Sequence, residues 1–572
     1  MTDAALGTLR ASLGSLEDAV TKVLRDWDQS ESTARLWKQD ASVWTNSGEE
    51  NWLGWLDVVS QQVAQAAELS HIAQEAKQAG FETVLLLGMG GSSLGPEVIG
   101  RTLGKKLHGM DLVVLDSTVP QHVDRLSQLV DLAKTLFVVA SKSGGTTEPN
   151  AFKQFFYEKV VSVAGADAAG QQFVAITDPG SSLEALAKAE HFRAIVHGTP
   201  SIGGRYSVLS PFGMLPAAFL GTDTASFLKK TAALVNACKP DHTGKDNPGV
   251  YLGVLLGVLA QKGRDKVTFT TTPGVASLGA WLEQLIAESS GKLGKGIIPV
   301  DGEELAAPEA YDADRLFVRI ALADEINAAQ ERQCDALESA GHPVVRIDLP
   351  DAESLGQEFY RWEFATAVAC AVMGINAFDQ PDVEASKVAT RKLTSAFEES
   401  GALPEDTPLL SDNNLSLHAE ASNADRVQGC TTMAEALAAH LATLKTGDYF
   451  AINAYVDMNA AHQAILQTIR SHVRDTHHVA TTVGFGPRFL HSTGQLHKGG
   501  PNNGVFLQLT AGEPTRLPVP KQRYSFGELA RFQAQGDLEV LIERQRRVLR
   551  IDLGNDSLAG LKQLQDLLLN IS

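Results

Sequence analysis

Apolar positions along this chain switch between two periods. From residue 8 to 70, Leu9, Leu13, Leu16 and Val20 fall on one helical stripe, and Trp37, Trp44, Trp52 and Trp55 follow within a short span. That spacing predicts helices, with the tryptophans forming core or a docking surface. Short runs rich in Val, Leu, Ile and Phe come next: Thr83–Leu87, Leu112–Leu115, Leu136–Ala140, Phe173–Ile176 and Arg193–Val196. Helix-like stretches separate them, and this alternation predicts a parallel sheet covered on both faces. The pattern then starts again, with strand Val267–Thr271, helix Val275–Ser289, strands Leu316–Ile320 and Val344–Ile347, and a long apolar helix Phe359–Met373. Residues 397–428, with Pro404, Pro408 and several Asn, Asp and Ser, read as a linker or irregular connection. A third piece has strands at Tyr449–Val456, Ala480–Val483 and Val505–Leu509 and a helix at Ala460–Val473. The fold class expected is α/β: two doubly wound parallel-sheet domains, an N-terminal helical segment and an extra C-terminal α/β domain. The division expected is 1–70, 71–230, 231–396, a linker at 397–430, and 431–572.

Composition narrows the function classes. The 572 residues carry 49 Lys and Arg against 68 Asp and Glu, a formal charge of −19. Such a balance repels nucleic acid and anionic lipid unless a basic patch is present. The run Arg544-Gln545-Arg546-Arg547 reads as a solvated helix face rather than such a patch. Cys238, Cys334, Cys370 and Cys430 are far apart with no CxxC pair, which fits a reducing cytosol and argues against disulfides or a cysteine zinc site. His477 and His478 are adjacent and lack metal-ligand spacing. The first residues, Met-Thr-Asp-Ala-Ala-Leu-Gly, have neither a basic start nor an apolar core, unlike a secretory signal. The longest apolar stretches, near 249–260 and 364–378, fall short of the roughly 20 residues that cross a bilayer. A cytoplasmic protein with no nucleic-acid or membrane partner, no metal and no cofactor is expected.

Two loops carry the candidate chemistry. In the first, Leu85-Leu86-Leu87 feeds Gly88-Met89-Gly90-Gly91-Ser92-Ser93-Leu94-Gly95-Pro96, a strand, a glycine turn and a helix start. Glycines admit a ligand to the backbone, and the helix N-terminus offers free N–H groups to an anion. A dinucleotide fold would want Gly-x-Gly-x-x-Gly and an acid about 20 residues on. Gly88, Gly90 and Asp116 fit that reading, but the third glycine position holds Ser93. A plain tight turn is the other alternative. In the second loop, strand Leu136–Ala140 runs into Ser141-Lys142-Ser143-Gly144-Gly145-Thr146-Thr147-Glu148-Pro149. Four hydroxyls in a tight turn before a helix are what a phosphate monoester needs, although Ser/Thr turns are also common without a ligand.

Together the two loops resemble the sugar-isomerase (SIS) fold of the glucose-6-phosphate isomerase family. Three further motifs agree in type and order. Gly203-Gly204-Arg205-Tyr206-Ser207 resembles the family's Gly-Gly-Arg-[Phe/Tyr]-Ser, and Glu288-Ser289-Ser290-Gly291-Lys292 resembles its Glu-Ser-Asn-Gly-Lys. Asn376-Ala-Phe-Asp-Gln380-Pro-Asp-Val-Glu384-Ala-Ser-Lys387 resembles its Asn-x-Phe-Asp-Gln-x-Gly-Val-Glu-x-x-Lys. The C-terminal His491-Ser-Thr-Gly-Gln-Leu-His497-Lys-Gly-Gly-Pro501 looks like the isomerase half of bacterial transaldolase/phosphoglucose isomerase fusions, with no counterpart of the transaldolase half.

The resemblance implies SIS-type domains and a metal-free aldose–ketose isomerase acting on glucose 6-phosphate and fructose 6-phosphate through a cis-enediol, as a homodimer. It implies that Ser141, Ser143 and Thr146 grip the phosphate, with Gly91, Ser92 and Gly204 beside the sugar. Lys142 would add charge there or stand on the surface. Glu288 is the candidate base: Leu278, Trp281, Leu282 and Leu285 share its helical stripe, and a carboxylate on an apolar face is partly desolvated. Arg205 would stabilise the enediolate because guanidinium keeps its proton. Gln380 and Lys387, seven residues apart, share a helix face if Pro381 starts a helix. By resemblance Gln380 hydrogen-bonds the substrate and Lys387 assists ring opening. Family members also use a histidine for ring opening, often from the partner subunit. No histidine here matches cleanly; His342 and His497 are the candidates, with His491 a further alternative and Lys387 alone another. A sugar-phosphate-binding regulatory protein without catalysis and a dual phosphoglucose/phosphomannose isomerase are the competing readings.

Overall fold

The computed structural model describes residues 6–402 and 407–571. Residues 1–5 of the N-terminal reading and Pro404 of the expected linker lie outside the described residues. Among the described residues, three sheets carry the fold, each flanked by helices. The first strand, β1 (Thr8–Ser12), belongs to the second sheet and is taken up below. The first sheet contains β2 (Thr83–Gly88), β3 (Asp111–Leu115), β4 (Thr135–Ala140), β5 (Phe173–Thr177) and β6 (Ala194–His197). It is parallel throughout, in the order β3-β2-β4-β5-β6. Strand β2, the first of the five in sequence, lies between β3 and β4, so the order reverses between β2 and β4. Ligands of open α/β sheets bind outside the carboxyl ends of the strands at that switch point. The glycine loop leaves β2 there and the hydroxyl loop leaves β4 there. The topology alone therefore brings the two loops together.

The second sheet takes β7 (Lys266–Thr271), β8 (Ile298–Val300), β9 (Arg315–Leu322) and β10 (Val344–Leu349) in the order β1-β10-β9-β7-β8. Strand β1 corrects the sequence reading, which placed Leu9 on a helical stripe. It pairs antiparallel with β10, Leu9 opposite Ile347. A spacing of four residues puts side chains on one face of a strand as well as of a helix, so Leu9 and Leu13 alone do not decide between them. Helix Leu278–Ser290 follows β7 and is buried along most of its length.

The third sheet takes β11 (Leu410–Asp412), β12 (Leu415–His418), β13 (Tyr449–Ala454), β14 (Ala480–Phe485), β15 (Gly504–Thr510) and β16 (Arg547–Asp552) in the order β11-β12-β16-β15-β13-β14. Two expectations change here. Residues 397–430 are not a plain connection: helix Pro381–Ser400 runs past residue 397, and β12 pairs antiparallel with β16, burying Leu415 and Leu417. The basic run near 544 is not a solvated helix face. Arg547 opens β16 and pairs with Asp448, and Arg546 is buried, its guanidinium donating to the Lys498 and Gly500 carbonyls.

The third sheet also has a switch point, between β13 and β15, and it is filled by the first unit. Asp457, just past β13, accepts from Arg125 at 3.0 Å and faces His122 Nδ1 at 3.1 Å. Gln121 donates to the Gly512 carbonyl beyond β15, and Ser117 to the Gly486 carbonyl beyond β14. Apolar packing joins the same units, since Phe526 lies against Phe152 and Phe155. Among the described residues, no helix is long and apolar enough to cross a membrane.

Candidate active site

The glycine turn after β2 is built against a second turn. Gly90 has φ +53°, a left-handed conformation open to glycine, and a Cβ there would stand 2.7 Å from the Gln284 amide nitrogen and 2.9 Å from the His491 carbonyl. A Cβ on Gly91 would run into the Gly204 carbonyl. The two loops that the sequence placed beside a sugar thus touch each other, with Gly91 and Ser92 on one side and Gly204 and Arg205 on the other. Asp116, the acid of the dinucleotide reading, is buried and engaged: Ser93 Oγ donates to it at 3.1 Å, and Arg488 pairs with it at 3.0 Å while also pairing with Glu97. That carboxylate has no free face for a ribose.

The hydroxyl loop after β4 leaves donors uncommitted. Ser141 Oγ lies 3.3 Å from Thr146 Oγ1, and the Gly145 N–H donates to Ser143 Oγ at 3.3 Å. Thr146 precedes the 18-residue helix Thr147–Ala164 but makes no side-chain cap, so its hydroxyl claims none of the first amides of that helix. Of the two readings of Lys142, added charge at the loop or a surface lysine, the contacts favour neither outright, because its charge is already paired. It pairs with Asp178 and donates to the Pro200 carbonyl at 3.1 Å, which turns its charge away.

Arg205 and Glu288 form the centre of the site. Arg205 is 2 % exposed, and its Nη1 stands 3.3 Å from Glu288 Oε1. Its remaining donors go to Ser289 Oγ at 2.8 Å, Gln380 Oε1 at 3.0 Å and the carbonyls of Ala377 and Asp379 at 2.7 and 3.1 Å. Three of the motifs therefore meet on one guanidinium. Gln284, one helical turn before Glu288, donates to Glu288 Oε2 at 3.1 Å, while its own Oε1 is buried without a partner. Lys292 donates to the Asn376 carbonyl and to Asp379 Oδ1 at 2.7 Å. Burial, with the Arg205 charge nearby, pushes the Lys292 ammonium down to about 8. Pro381 does start a helix, and it places Lys387 on the exposed side, 3.9 Å from Glu384.

The histidine expectations separate. His342 packs on Phe317 and Tyr311 beside Arg264, among residues that touch neither Arg205 nor Glu288. Burial lowers its imidazole below the ordinary value. His497 is fully buried among Tyr449, Phe489 and Phe506, with Nδ1 unpartnered. Burial holds it well below the usual range, so it stays neutral in an aromatic wall. His491 instead reaches the hydroxyl loop's helix, its Nε2 standing 2.9 Å from Glu148 Oε1. Gln533 donates to the same Glu148 oxygen at 2.6 Å and accepts from Thr118 Oγ1 at 2.6 Å. Burial raises the Glu148 carboxyl, but the His491 imidazole, the residue's own backbone amide and, more weakly, the Lys387 charge outweigh it and hold the group below its ordinary value.

Residues 59–304 match the family described as phosphoglucose isomerase. A glucose-6-phosphate isomerase of Prochlorococcus marinus (strain NATL2A) is 30% identical over 364 residues, 57% of this chain and 68% of that protein. The chain belongs to the phosphoglucose isomerase family. A second glucose-6-phosphate isomerase, from Synechococcus sp. (strain JA-2-3B'a(2-13)), is 29% identical over 56% of this chain and 69% of its own length. A solved structure of a hypothetical protein from Thermus thermophilus has 25% identity and a TM-score of 0.58, covering 67% of this chain and 99% of that one. The phosphoglucose isomerase match takes in both loops, Arg205 and Glu288, and stops before Gln380, Lys387 and the third sheet.

Four residues of this phosphoglucose isomerase site were not singled out from sequence: Gln284, Lys292, Glu148 and Gln533. Gln284 was within reach of a pattern argument, because it stands four residues before Glu288 on the same helix. Glu148 and Lys292 stood inside quoted motifs, but only the fold shows what each faces. Gln533 carried no signal, since it meets Glu148 across 385 residues.

Proposed function

We propose that this chain interconverts glucose 6-phosphate and fructose 6-phosphate, moving a proton between C2 and C1 through a cis-enediol. The observation that carries the reading is the Arg205–Glu288 pair at 3.3 Å, set against the glycine turn that the switch point presents. The phosphate is held by the hydroxyls of Ser141, Ser143 and Thr146 and by the first amides of the helix that follows. Charge-assisted bonds of this kind are short and strong. Glu288 takes the proton from one carbon and returns it to the neighbouring one. Gln284, bonded to its far oxygen, aims the carboxylate. Negative charge develops on the enediolate oxygens during transfer, and Arg205 faces that region as a fixed cation that needs no reorganisation. Gln380 is positioned by the same guanidinium and hydrogen-bonds the substrate.

We place the reaction in the cytoplasm, in keeping with the buried free thiols of Cys238, Cys334 and Cys370. A coupled assay with fructose 6-phosphate tests the reading. Glu288→Gln keeps the shape, and its one oxygen still accepts from Gln284 or from Arg205, but it cannot accept a proton. Turnover should fall by about 10²–10⁴-fold, the range for a lost general base, with fructose 6-phosphate still bound. Turnover within a few-fold of the parent would remove Glu288 from the base role.

A further inference from the structure

The second sheet repeats the arrangement of the first. Setting aside the antiparallel β1, its first strand is β7, and β7 lies between β8 and β9 as β2 lies between β3 and β4. A switch point of the same kind therefore falls at the carboxyl ends of β7 and β9, where open α/β sheets take ligands. A cavity of about 530 Å³ opens there. It is lined by Thr270 and Thr271 at the end of β7, Asp301 just past β8, and Asn327 and Gln330 beyond β9. We propose that this cavity is a second ligand site, separate from the isomerase site, for a small hydroxylated primary amine bound as its ammonium ion.

Three observations carry it. First, one lining side chain is buried and short of a partner. Gln330 is 9 % exposed; its amide nitrogen donates to Thr270 Oγ1 at 3.3 Å, which fixes the plane of the group, and its Oε1 has no hydrogen-bond partner. Buried acceptors are nearly always matched by a donor, and no described residue supplies this one. Second, the charge at the cavity has one sign. The Asp301 carboxylate forms no ion pair among the described residues; it meets the Gly302 amide and, at longer range, the Arg470 charge. Glu304 stands exposed at the rim, and no lysine, arginine or histidine lines the cavity. Arg470 is turned to the Asp301 and Thr481 carbonyls, and Arg474 to that of Glu304. Glu283 lies behind Asp301, and burial, then the Asp301 charge, lift its carboxyl well above the ordinary value. Third, the helix end that an anion would use is closed. Asn327 caps helix Ala328–Ser339 with its own side chain, accepting from the Ala329 and Gln330 amides at 3.1 and 3.0 Å. That separates this switch point from the one below the hydroxyl loop, and a sugar phosphate is not its ligand.

The ammonium lies between the Asp301 carboxylate and Gln330 Oε1 and donates to both, and the ligand's hydroxyls meet Thr271 and Asn327. Bonds from a cation to a carboxylate are the stronger kind. Asp301 is held ready for that bond: it rests on Gly279, where a Cβ would collide with its carboxylate. Gly279 opens the helix Leu278–Ser290 whose far end carries Glu288. Nine residues separate the two, about 13 Å along the axis, so both sites can be filled together.

Isothermal titration calorimetry tests this with glucosamine, and with glucose as the probe that lacks the amine. The full chain is first equilibrated with excess fructose 6-phosphate, so that the isomerase site is occupied. Glucosamine should bind saturably and glucose at least about tenfold more weakly, the scale of one hydrogen bond to a charged group. Asp301→Asn removes the charge, and Gln330→Met removes the unpaired acceptor while leaving the charge in place. Each should lower glucosamine affinity by about tenfold or more, with melting curves showing that the variant is folded. Equal binding of glucosamine and glucose overturns the ammonium assignment. Parent-like glucosamine binding by either folded variant, binding that appears only without fructose 6-phosphate, or no saturable binding at all overturns the site. None of these readings depends on turnover, so they stand apart from the test of the isomerase reaction.

Discussion

Replacing Arg205 with lysine keeps the positive charge and tests whether the fork of the guanidinium matters. Arg205 reaches Ser289 Oγ, Gln380 Oε1, the Ala377 and Asp379 carbonyls and the Glu288 carboxylate, five acceptors around a group that is 2 % exposed. A lysine ammonium has three donors on one point. Water can serve the Gln380 and Asp379 oxygens, which stand on exposed residues, but the Ser289 hydroxyl and the Ala377 carbonyl are buried and are reached from two different nitrogens of the guanidinium, so at least one buried acceptor loses its donor. A buried acceptor stripped of its donor costs about 1–3 kcal/mol. One such loss lowers stability by at least about 1 kcal/mol, which lowers the melting temperature by about 2 °C or more for a cooperative unit of roughly 150–250 residues. Catalysis should fall further, because a point charge cannot face Glu288 and brace Gln380 together. Losing one preorganised donor at a developing oxyanion costs about 10²–10³ in turnover. Differential scanning calorimetry and the coupled fructose 6-phosphate assay measure the two effects separately. A variant that melts within 1 °C of the parent and turns over within about tenfold would refute the claim that this geometry, rather than charge alone, builds the site.

Two further outcomes follow from the same geometry. Gly91→Ala should cost roughly 1–3 kcal/mol of stability, as overpacking does, and displace the Arg205 turn, so turnover drops sharply; Gly203→Ala, where a Cβ meets nothing within 4 Å, should match the parent in both assays. Lys292 sits at about 8 in the fold, below the lysine value of 10.5. Between those values the unfolded chain binds the extra proton, so this residue makes stability rise as pH climbs from about 8 toward 10.5. Melting curves of Lys292→Met against the parent should show the gap changing in that window and flat between pH 6 and 7.

The parts of the site that were legible in sequence are those that local chemistry writes twice. A buried strand running straight into glycines or hydroxyls announces both a turn and an anion cradle, and so the loops at Gly88 and Ser141 stood out. Arg205 and Glu288 came from motif resemblance, with the apolar stripe of the Glu288 helix as independent support. What was not legible depends on partners distant in sequence. Sequence left Lys142 open between the phosphate and the surface, and only the fold shows that it faces Asp178. His491 and His497 share one short segment, and no periodicity tells which imidazole turns toward Glu148 and which sinks among Tyr449, Phe489 and Phe506. At the fold level, the four-residue spacing of Leu9 and Leu13 serves strand and helix alike. The basic run at 544–547 hid a strand start, because a buried arginine and a solvated one look the same in a composition window.

The filled crevice at the ends of β13 and β15 has a consequence of its own. In a free-standing α/β sheet that opening would be the place to admit a small molecule. Here Gln121, His122 and Arg125 occupy it from the same polypeptide. An architecture normally used to capture visitors has become a joint, and its doorway now holds the turn at Gly486–Arg488 against the first unit.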